Sequence, residues 1–301
     1  MTPMLTLDNV KKNVPLAPYT TYKIGGQADY FFTAHNKSDL VKAVKQSKES
    51  KIPFFLLGSG ANILIGDRGF RGLVIHNKAE NFEFKDNLLI AESGALISDL
   101  IVASLSEDLS GLEHYVGIPS TVGGAIRQNL HFLAPDRMST IFIESVVREG
   151  EILYGTREIR VKKDYFKFGY DDSVLHHNKG ILVLEIIFEL EHKDPKLIRA
   201  QMTENMRWRN EKQPQLSEFS SCGSVFKKIK DVGAGRLIDH CGLKGAKIGG
   251  AEISLKHANY IVNRGDATAS DVRELIDLVQ EKVFKETGYH LEPEIGFIGE
   301  F

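Results

Sequence analysis

The 301-residue chain has little cysteine, a single tryptophan and no marked charge of either sign. Cys222 and Cys241 are its only cysteines. They are too few and too scattered for a disulfide framework or a cysteine-rich zinc site, so both are expected as buried thiols. His, Asp and Glu show no metal-ligand spacing either, and His176-His177 reads as a surface turn. No apolar run approaches the ~18 residues needed to span a bilayer, and residues 1–18 lack the apolar core of a secretory signal. A cytoplasmic protein without membrane partners is expected. A formal net charge of -2 argues against non-specific nucleic-acid binding, although basic side chains can still gather around a phosphorylated small molecule. Internal repeats and low-complexity tracts are absent too. What remains is ordinary globular composition, 42% hydrophobic and 26% charged, enough for one large core or a few modest ones.

Against this background two glycine-rich segments stand out. The first begins Gly58-Ser-Gly-Ala-Asn-Ile63 and continues to Gly72. It follows the apolar run 52–57, so it reads as a strand opening into a turn whose amides suit an anion such as a pyrophosphate. The second, Gly117-Ile-Pro-Ser-Thr-Val-Gly-Gly124, has no side chain at Gly123 or Gly124 and a stiffened entry at Pro119. A flat ring system, such as a flavin, fits against such a backbone. Each glycine alone is most simply a tight turn; together, at these spacings, they point to ligand contact. Asn62 either hydrogen-bonds a cofactor or caps its own turn. No glycine completes a G-x-G-x-x-G pattern from Gly58, which disfavours an ordinary Rossmann domain.

The hydrophobic pattern is α+β. Strand signals at 28–33 and 52–57 flank a helical pattern over 37–51, a β-α-β unit. Short strands are expected at 73–76, 82–84 and 88–91, a helix at 98–109, and strands at 141–148, 151–154 and 181–190. Helices are expected over 194–209, 233–241 and 269–287, with strands at 251–254 and 260–262 between the last two. Gln213-Pro214 marks a boundary, and Asp271 is placed to help cap the last helix.

Several short motifs then occur in a fixed order: Thr21-Tyr-Lys-Ile-Gly-Gly26, the two glycine-rich segments, Phe168-Gly-Tyr170 with Ser173, Gln213-Pro214, Cys222-Gly-Ser-Val-Phe-Lys227, Ala234-Gly-Arg-Leu-Ile238, Gly242-Leu-Lys-Gly245, Gly249-Gly-Ala251, His257-Ala-Asn259 and Leu291-Glu-Pro-Glu294. In this order and over nearly the whole chain, they resemble the shorter class of the UDP-N-acetylenolpyruvoylglucosamine reductases.

The resemblance implies an FAD-binding domain of the vanillyl-alcohol-oxidase type over 1–192, in two α+β subdomains (about 1–73 and 74–192). A C-terminal α+β substrate-binding domain is implied over 193–301. It also implies the activity: NADPH reduces FAD, which then reduces UDP-N-acetylglucosamine enolpyruvate to UDP-N-acetylmuramate for peptidoglycan synthesis. A monomer is expected. By the same resemblance Tyr22, Gly58, Ser59, Gly60, Ala61, Asn62, Ile63, Gly117, Pro119, Ser120, Gly123 and Gly124 surround FAD. Ser224 is implied as the proton donor to the substrate carbon, and Glu294 as the acid that stabilises the enolate. Tyr170, Gln213, Lys227 and Asn259 match positions near the substrate or its diphosphate. The bland readings are a loop serine, a solvated C-terminal acid, an exposed lysine and a core tyrosine. His257 reads as structural.

Two places depart from the family pattern. The family's Tyr-Arg-x-Ser, whose arginine stabilises the enolate, reads Tyr170-Asp-Asp-Ser173 here. The usual Gly-Ala-Tyr-Gly continuation of the second glycine-rich segment is replaced by Asn129-Leu-His-Phe-Leu-Ala-Pro-Asp-Arg137. A carboxylate in place of a cation opposes the charge that the reaction develops, and losing one such stabiliser costs about 100- to 1,000-fold in rate. Arg127 or Arg137 is therefore expected as a relocated cation, Arg127 first, with Asp171 or Asp172 orienting it; contact with a phosphate is the equal alternative for Arg127. Two other functions stay open: an FAD- and nucleotide-sugar-binding protein with lost or altered catalysis, or a related flavin oxidoreductase on another substrate.

Overall fold

The computed structural model describes residues 5–229 and 232–301. Two compact units interleave along the chain. The first contains Phe32–Ser59 and Val74–Trp208; the second contains Lys11–Phe31, Gly60–Leu73 and Arg209–Phe301. The sequence suggests consecutive blocks divided near 192, but the chain passes between units inside continuous elements. These are the strands Gln27–Ala34 and Phe70–Asn77 and the helix Pro195–Lys212.

In the first unit, helix α1 (Lys37–Glu49) starts at Asn36, whose side chain accepts from the Asp39 amide, and buries Leu40, Val41, Ala43 and Val44. The main sheet is antiparallel, in the order Arg157–Lys162, Val147–Tyr154, Ile181–Glu189, Leu88–Glu92, Phe82–Lys85. Its centre is the most apolar strand, because a strand covered on both faces gains from apolar residues at nearly every position. Helices α2 (Ile97–Ser106) and α3 (Val122–Gln128) place Ile97, Leu100, Val122 and Ile126 in one core with Ile152, Ile186 and Phe188. The expected strand 141–148 is broken. Thr140–Phe142 pairs back on His131–Leu133, Ile143–Ser145 turns, and Val147–Tyr154 runs as one strand through Gly150. A Cβ at Gly150 would sit 2.7 Å from Ile186 Cδ1, so the glycine keeps that strand flush with its neighbour. A single turn, α4 (Val174–His177), follows with Ser173 as its cap, and α5 (Pro195–Lys212) closes the segment.

The second unit has its own core, from Tyr22, Leu64, Val225, Phe226, Ile253 and Ile261 to the buried faces of α6 (Ala234–His240) and α7 (Ala269–Thr287). A small antiparallel sheet joins Ser220–Ser221, Ile261–Asn263, Ala251–Ile253 and Lys247–Ile248 in that order. The strand Ile63–Ile65 pairs in parallel with Gly296–Ile298, bringing distant parts of the chain together. Helix α7 opens with a reciprocal Thr268–Asp271 capping box and ends at Gly288, φ 76°. The Asp67 carboxylate adds a second cap, accepting from the amides of Ala269 and Ser270 at 2.7 and 2.9 Å.

Candidate active site

The glycine-rich segments fold as tight backbone packing. Gly58 lies so close to Thr121 that a Cβ would meet its Oγ1 at 2.6 Å, and the Ser59 hydroxyl donates to the Pro119 carbonyl at 3.3 Å. Gly60 has φ +62°, and a Cβ there would be 2.4 Å from the Tyr19 carbonyl oxygen, so glycine is required. The amides of Ser59, Gly60, Ala61 and Asn62 make no hydrogen bond to protein among the described residues. Successive unpaired amides on a glycine turn suit a diphosphate, so this segment fits the cofactor that its sequence implies. The start of α3 behaves differently. The amides of Val122, Gly123 and Gly124 are taken by the Ala95 and Ser93 carbonyls and by Thr121 Oγ1. What Gly123 and Gly124 offer a ligand is therefore a bare surface rather than donors. Tyr22 is buried in the core of the second unit, its phenol against the Cys222 thiol and its carbonyl accepting from Asn263.

The far end of α3 is laced to the turn carrying Tyr170. Asn129, in the left-handed conformation at φ 48°, donates to the Gly169 carbonyl at 2.9 Å, and Ser173 Oγ donates to the Arg127 carbonyl at 2.8 Å. Arg127 returns the link, its Nη1 donating to the Leu175 carbonyl at 2.7 Å. Burial lowers the affinity of this guanidinium for its proton, with Asp172 opposing the effect. Arg137, the other candidate cation, donates to Asn205 and Glu204 at 2.9 and 3.3 Å and lies over the Trp208 ring. Both arginines thus have structural employment.

Each aspartate of Tyr170-Asp-Asp-Ser173 faces a histidine. Asp172 meets the exposed His177 at 2.8 Å. Asp171, with φ +51° and a side chain only 2% exposed, has an oxygen 3.4 Å from His131 Nδ1. The His131 ring packs between Phe142 and Tyr170, with centroids 5.2 and 4.8 Å away. The two departures from the motif pattern therefore meet in space.

In the second unit Ser224 stands at the head of a short extended segment held on both sides. The Asn259 side chain accepts from the Phe226 amide and donates to its carbonyl, and the Glu294 amide donates to the Val225 carbonyl at 2.8 Å. Gly223, at φ +84°, has open space where a side chain would project. The Ser224 hydroxyl lies beside the Tyr260 phenol. Burial, with smaller contributions from Glu294 and Cys222, pushes that phenol up to about 12, while the Arg209 guanidinium pulls the other way. Cys222 is likewise pushed up to about 12 by burial. Both groups stay protonated at neutral pH, and both sense the Glu294 carboxylate, so Ser224, Tyr260 and Glu294 form one cluster.

Of the implied substrate residues, Tyr170 is well exposed, and Gln213 Oε1 is buried without a protein hydrogen-bond partner among the described residues. Lys227 Nζ pairs with Glu292 at 3.1 Å. Asn259 spends its amide on Phe226 and so acts on Ser224 through the backbone. Sequence reading missed Tyr260 and Arg209 as neighbours of Ser224, and His131 as the residue that faces Asp171. Tyr260 was findable, since it follows His257-Ala-Asn259 directly, whereas the His131–Asp171 pair needed the fold. The cysteines are buried and free, and no His/Cys/Asp/Glu group among the described residues has metal-binding geometry.

The family model described as UDP-N-acetylenolpyruvoylglucosamine reductase, C-terminal domain, matches residues 213–298, and that described as FAD binding domain matches residues 28–138. The UDP-N-acetylenolpyruvoylglucosamine reductase of Clostridium novyi is 36% identical over 99% of this chain and 94% of its own length. That of Listeria innocua is 39% identical over 97% and 95%. The crystal structure of UDP-N-acetylenolpyruvylglucosamine reductase (MurB) from Thermus caldophilus superposes with a TM-score of 0.81 at 32% identity, covering 96% of this chain and 99% of that one. The fold is accordingly the expected α+β one, an FAD-binding domain of the vanillyl-alcohol-oxidase type with a C-terminal domain of its own kind, and the chain belongs to the UDP-N-acetylenolpyruvoylglucosamine reductase family.

Proposed function

We propose that this chain reduces UDP-N-acetylglucosamine enolpyruvate to UDP-N-acetylmuramate with NADPH and FAD, as a cytoplasmic monomer. The observation that carries this reading is the cluster of Ser224, Tyr260 and Glu294 in a chain whose 59–62 turn offers unpaired amides to a diphosphate. Residues 58–63 and 117–124 would hold FAD, which when bound would supply hydride chemistry toward the terminal vinyl carbon with NADPH as the source.

The chain's own residues handle the charge that follows. As the carbon–carbon double bond is reduced, its electron pair moves to the carboxylate-bearing carbon. Ser224 gives that carbon its proton, and the proton is replaced through Tyr260, whose phenol is otherwise held protonated by burial. Arg209 beside Tyr260 stabilises the transient negative charge on the hydroxyl pair. Glu294, in the same cluster, is the acid that helps to stabilise the enolate. The buried Gln213 carbonyl accepts from the substrate, and Lys227 leaves Glu292 to meet a phosphate. Asn259 keeps Ser224 in register.

The test is anaerobic. NADPH should bleach the flavin absorbance, and UDP-N-acetylglucosamine enolpyruvate should restore it with formation of UDP-N-acetylmuramate. Bleaching without substrate-driven recovery would instead support a nucleotide-sugar-binding flavoprotein, which the buried Asp171 carboxylate favours.

A further inference from the structure

We propose that Arg273, by holding Phe297 and Phe301, is a positioning residue that fixes Glu294 and the 60–62 turn in one register. The part given to Glu294 rests on the proposed function. The hold itself lies wholly within the second unit.

The run 292–301 is fastened in two places. Near its start the Lys227 amide donates to the Glu292 carbonyl at 2.9 Å, and the Glu294 amide donates to the Val225 carbonyl at 2.8 Å. Glu294 is thereby tied to the segment that Ser224 heads. Further on, the Gly296 amide donates to the Asn62 carbonyl at 3.0 Å, and Gly296–Ile298 pairs with Ile63–Ile65. Asn62 thus gives its carbonyl to this run, while its amide stays unpaired among the described residues. From Gly296 back to Glu294 is two residues, at most about 7 Å of chain. A slip of the pairing by one residue would shift the acid by about 3.3 Å and carry its amide away from Val225.

Two short strands do not fix a register by their ladder alone, because an isolated two-stranded pair is marginal in water. Side chains from outside the pair must set it. Arg273, half-buried on α7, places its guanidinium 4.2 Å from the Phe297 ring centroid and 5.6 Å from that of Phe301. The two rings meet edge to face at 5.9 Å. No ion pair or side-chain hydrogen bond engages this guanidinium among the described residues, so its charge is spent on the rings. The same end of α7 takes the other strand. Asp67, two residues beyond Ile65, accepts from the amides of Ala269 and Ser270, one turn before Arg273. One helix end therefore grips both partners, Ile63–Ile65 through Asp67 and Gly296–Ile298 through Arg273. The Arg68 side chain also donates to the Phe301 carbonyl, but it belongs to the segment that has to be aligned.

Amide hydrogen exchange on the FAD-loaded protein, read residue by residue by NMR, tests this without turnover. In Arg273→Ala the Gly296 and Glu294 amides should exchange roughly two- to thirtyfold faster, the range of one lost cation–π contact. The amides of Ala251–Ile253, in the small sheet of the same unit, should keep their rates. Arg273→Lys keeps a cation over the rings and should restore most of the protection. FAD affinity, titrated on the flavin-free chain, should weaken in Arg273→Ala, because the same run supports Asn62. Substrate-driven flavin recovery should slow by about tenfold or more, with reduction by NADPH unchanged. Faster exchange at every amide of the unit would mean that Arg273 merely supports its core. Unchanged rates at Glu294, with or without a change at Gly296, would mean that the acid is held by other groups. Either result overturns the proposal. If the enolpyruvate fails to restore the flavin of the unaltered protein, it is the proposed function that fails, and the exchange pattern is not what shows it.

Discussion

The Asn259 side chain holds both polar groups of the Phe226 backbone, accepting from its amide at 3.0 Å and donating to its carbonyl at 2.9 Å. Ser224 is two residues away on the same segment, so this one amide sets the direction in which the serine hydroxyl points. Two buried hydrogen bonds of this kind are worth about 1–3 kcal/mol when their partners are left unsatisfied. Asn259→Ala should lower stability by that amount in urea titrations. It should also slow substrate-driven flavin recovery by roughly tenfold or more, while nucleotide-sugar affinity moves little, a split seen in kcat rather than KM.

Ser224 and Tyr260 should separate by magnitude. Ser224→Ala removes the proton donor and should cut substrate-driven recovery by about 100-fold or more, leaving reduction by NADPH intact. Tyr260→Phe removes only the group behind it, and a loss of roughly tenfold is expected. Because the phenol sits at about 12, the rate of the unaltered protein should show no step assignable to Tyr260 between pH 6 and 10 on the order of these values. Stopped-flow absorbance of the two half-reactions reads all of this.

Much of this was legible in the sequence because the signals were local. The capping role of Asp271, the 3.6-residue spacing of α7 and the glycine turn at 58–60 are set by neighbours in the chain, and the structure has them where the pattern put them, with Thr268 completing the cap. Helix α3 was not foreseen. Its glycines depress helix propensity, and only the Thr121 cap and the contacts of Val122 and Ile126 with the sheet core decide in its favour. The His131–Asp171 pair was invisible for a different reason: the two positions lie about forty apart in the chain and are brought together by a turn and a hairpin that periodicity cannot register. Arg127 looked available as a cation because sequence shows its charge but not the carbonyl that claims it.

Gly60 should tolerate no side chain. With φ +62° and a Tyr19 carbonyl oxygen 2.4 Å from where a Cβ would go, Gly60→Ala must shift the turn whose amides are offered to the cofactor. The purified variant should be colourless or lose its flavin on gel filtration, with far-ultraviolet circular dichroism near that of the unaltered protein. A yellow variant with undiminished flavin content would remove this turn from the cofactor site.

Acid should destabilise the protein before carboxylates titrate. His176 is half-buried and its pKa is lowered to about 4, first by desolvation and then by Arg127. In the unfolded chain it takes up a proton near its ordinary value of about 6.5. The folded state therefore binds fewer protons between these values. This contribution is fully present above about 6.5 and is lost progressively as pH falls toward 4. Urea midpoints should fall across that window, and His176→Gln should flatten the slope.

The parallel pairing of Ile63–Ile65 with Gly296–Ile298 has a consequence for synthesis. A ribosome adding about 5–20 residues per second makes the early strand wait on the order of ten to fifty seconds for its mate. Until then its edge is open, and the second unit cannot close while its last strand is still in the exit tunnel. Folding of that unit is thereby deferred until residues 296–298 have left the tunnel, so removing that strand would be felt at residue 63.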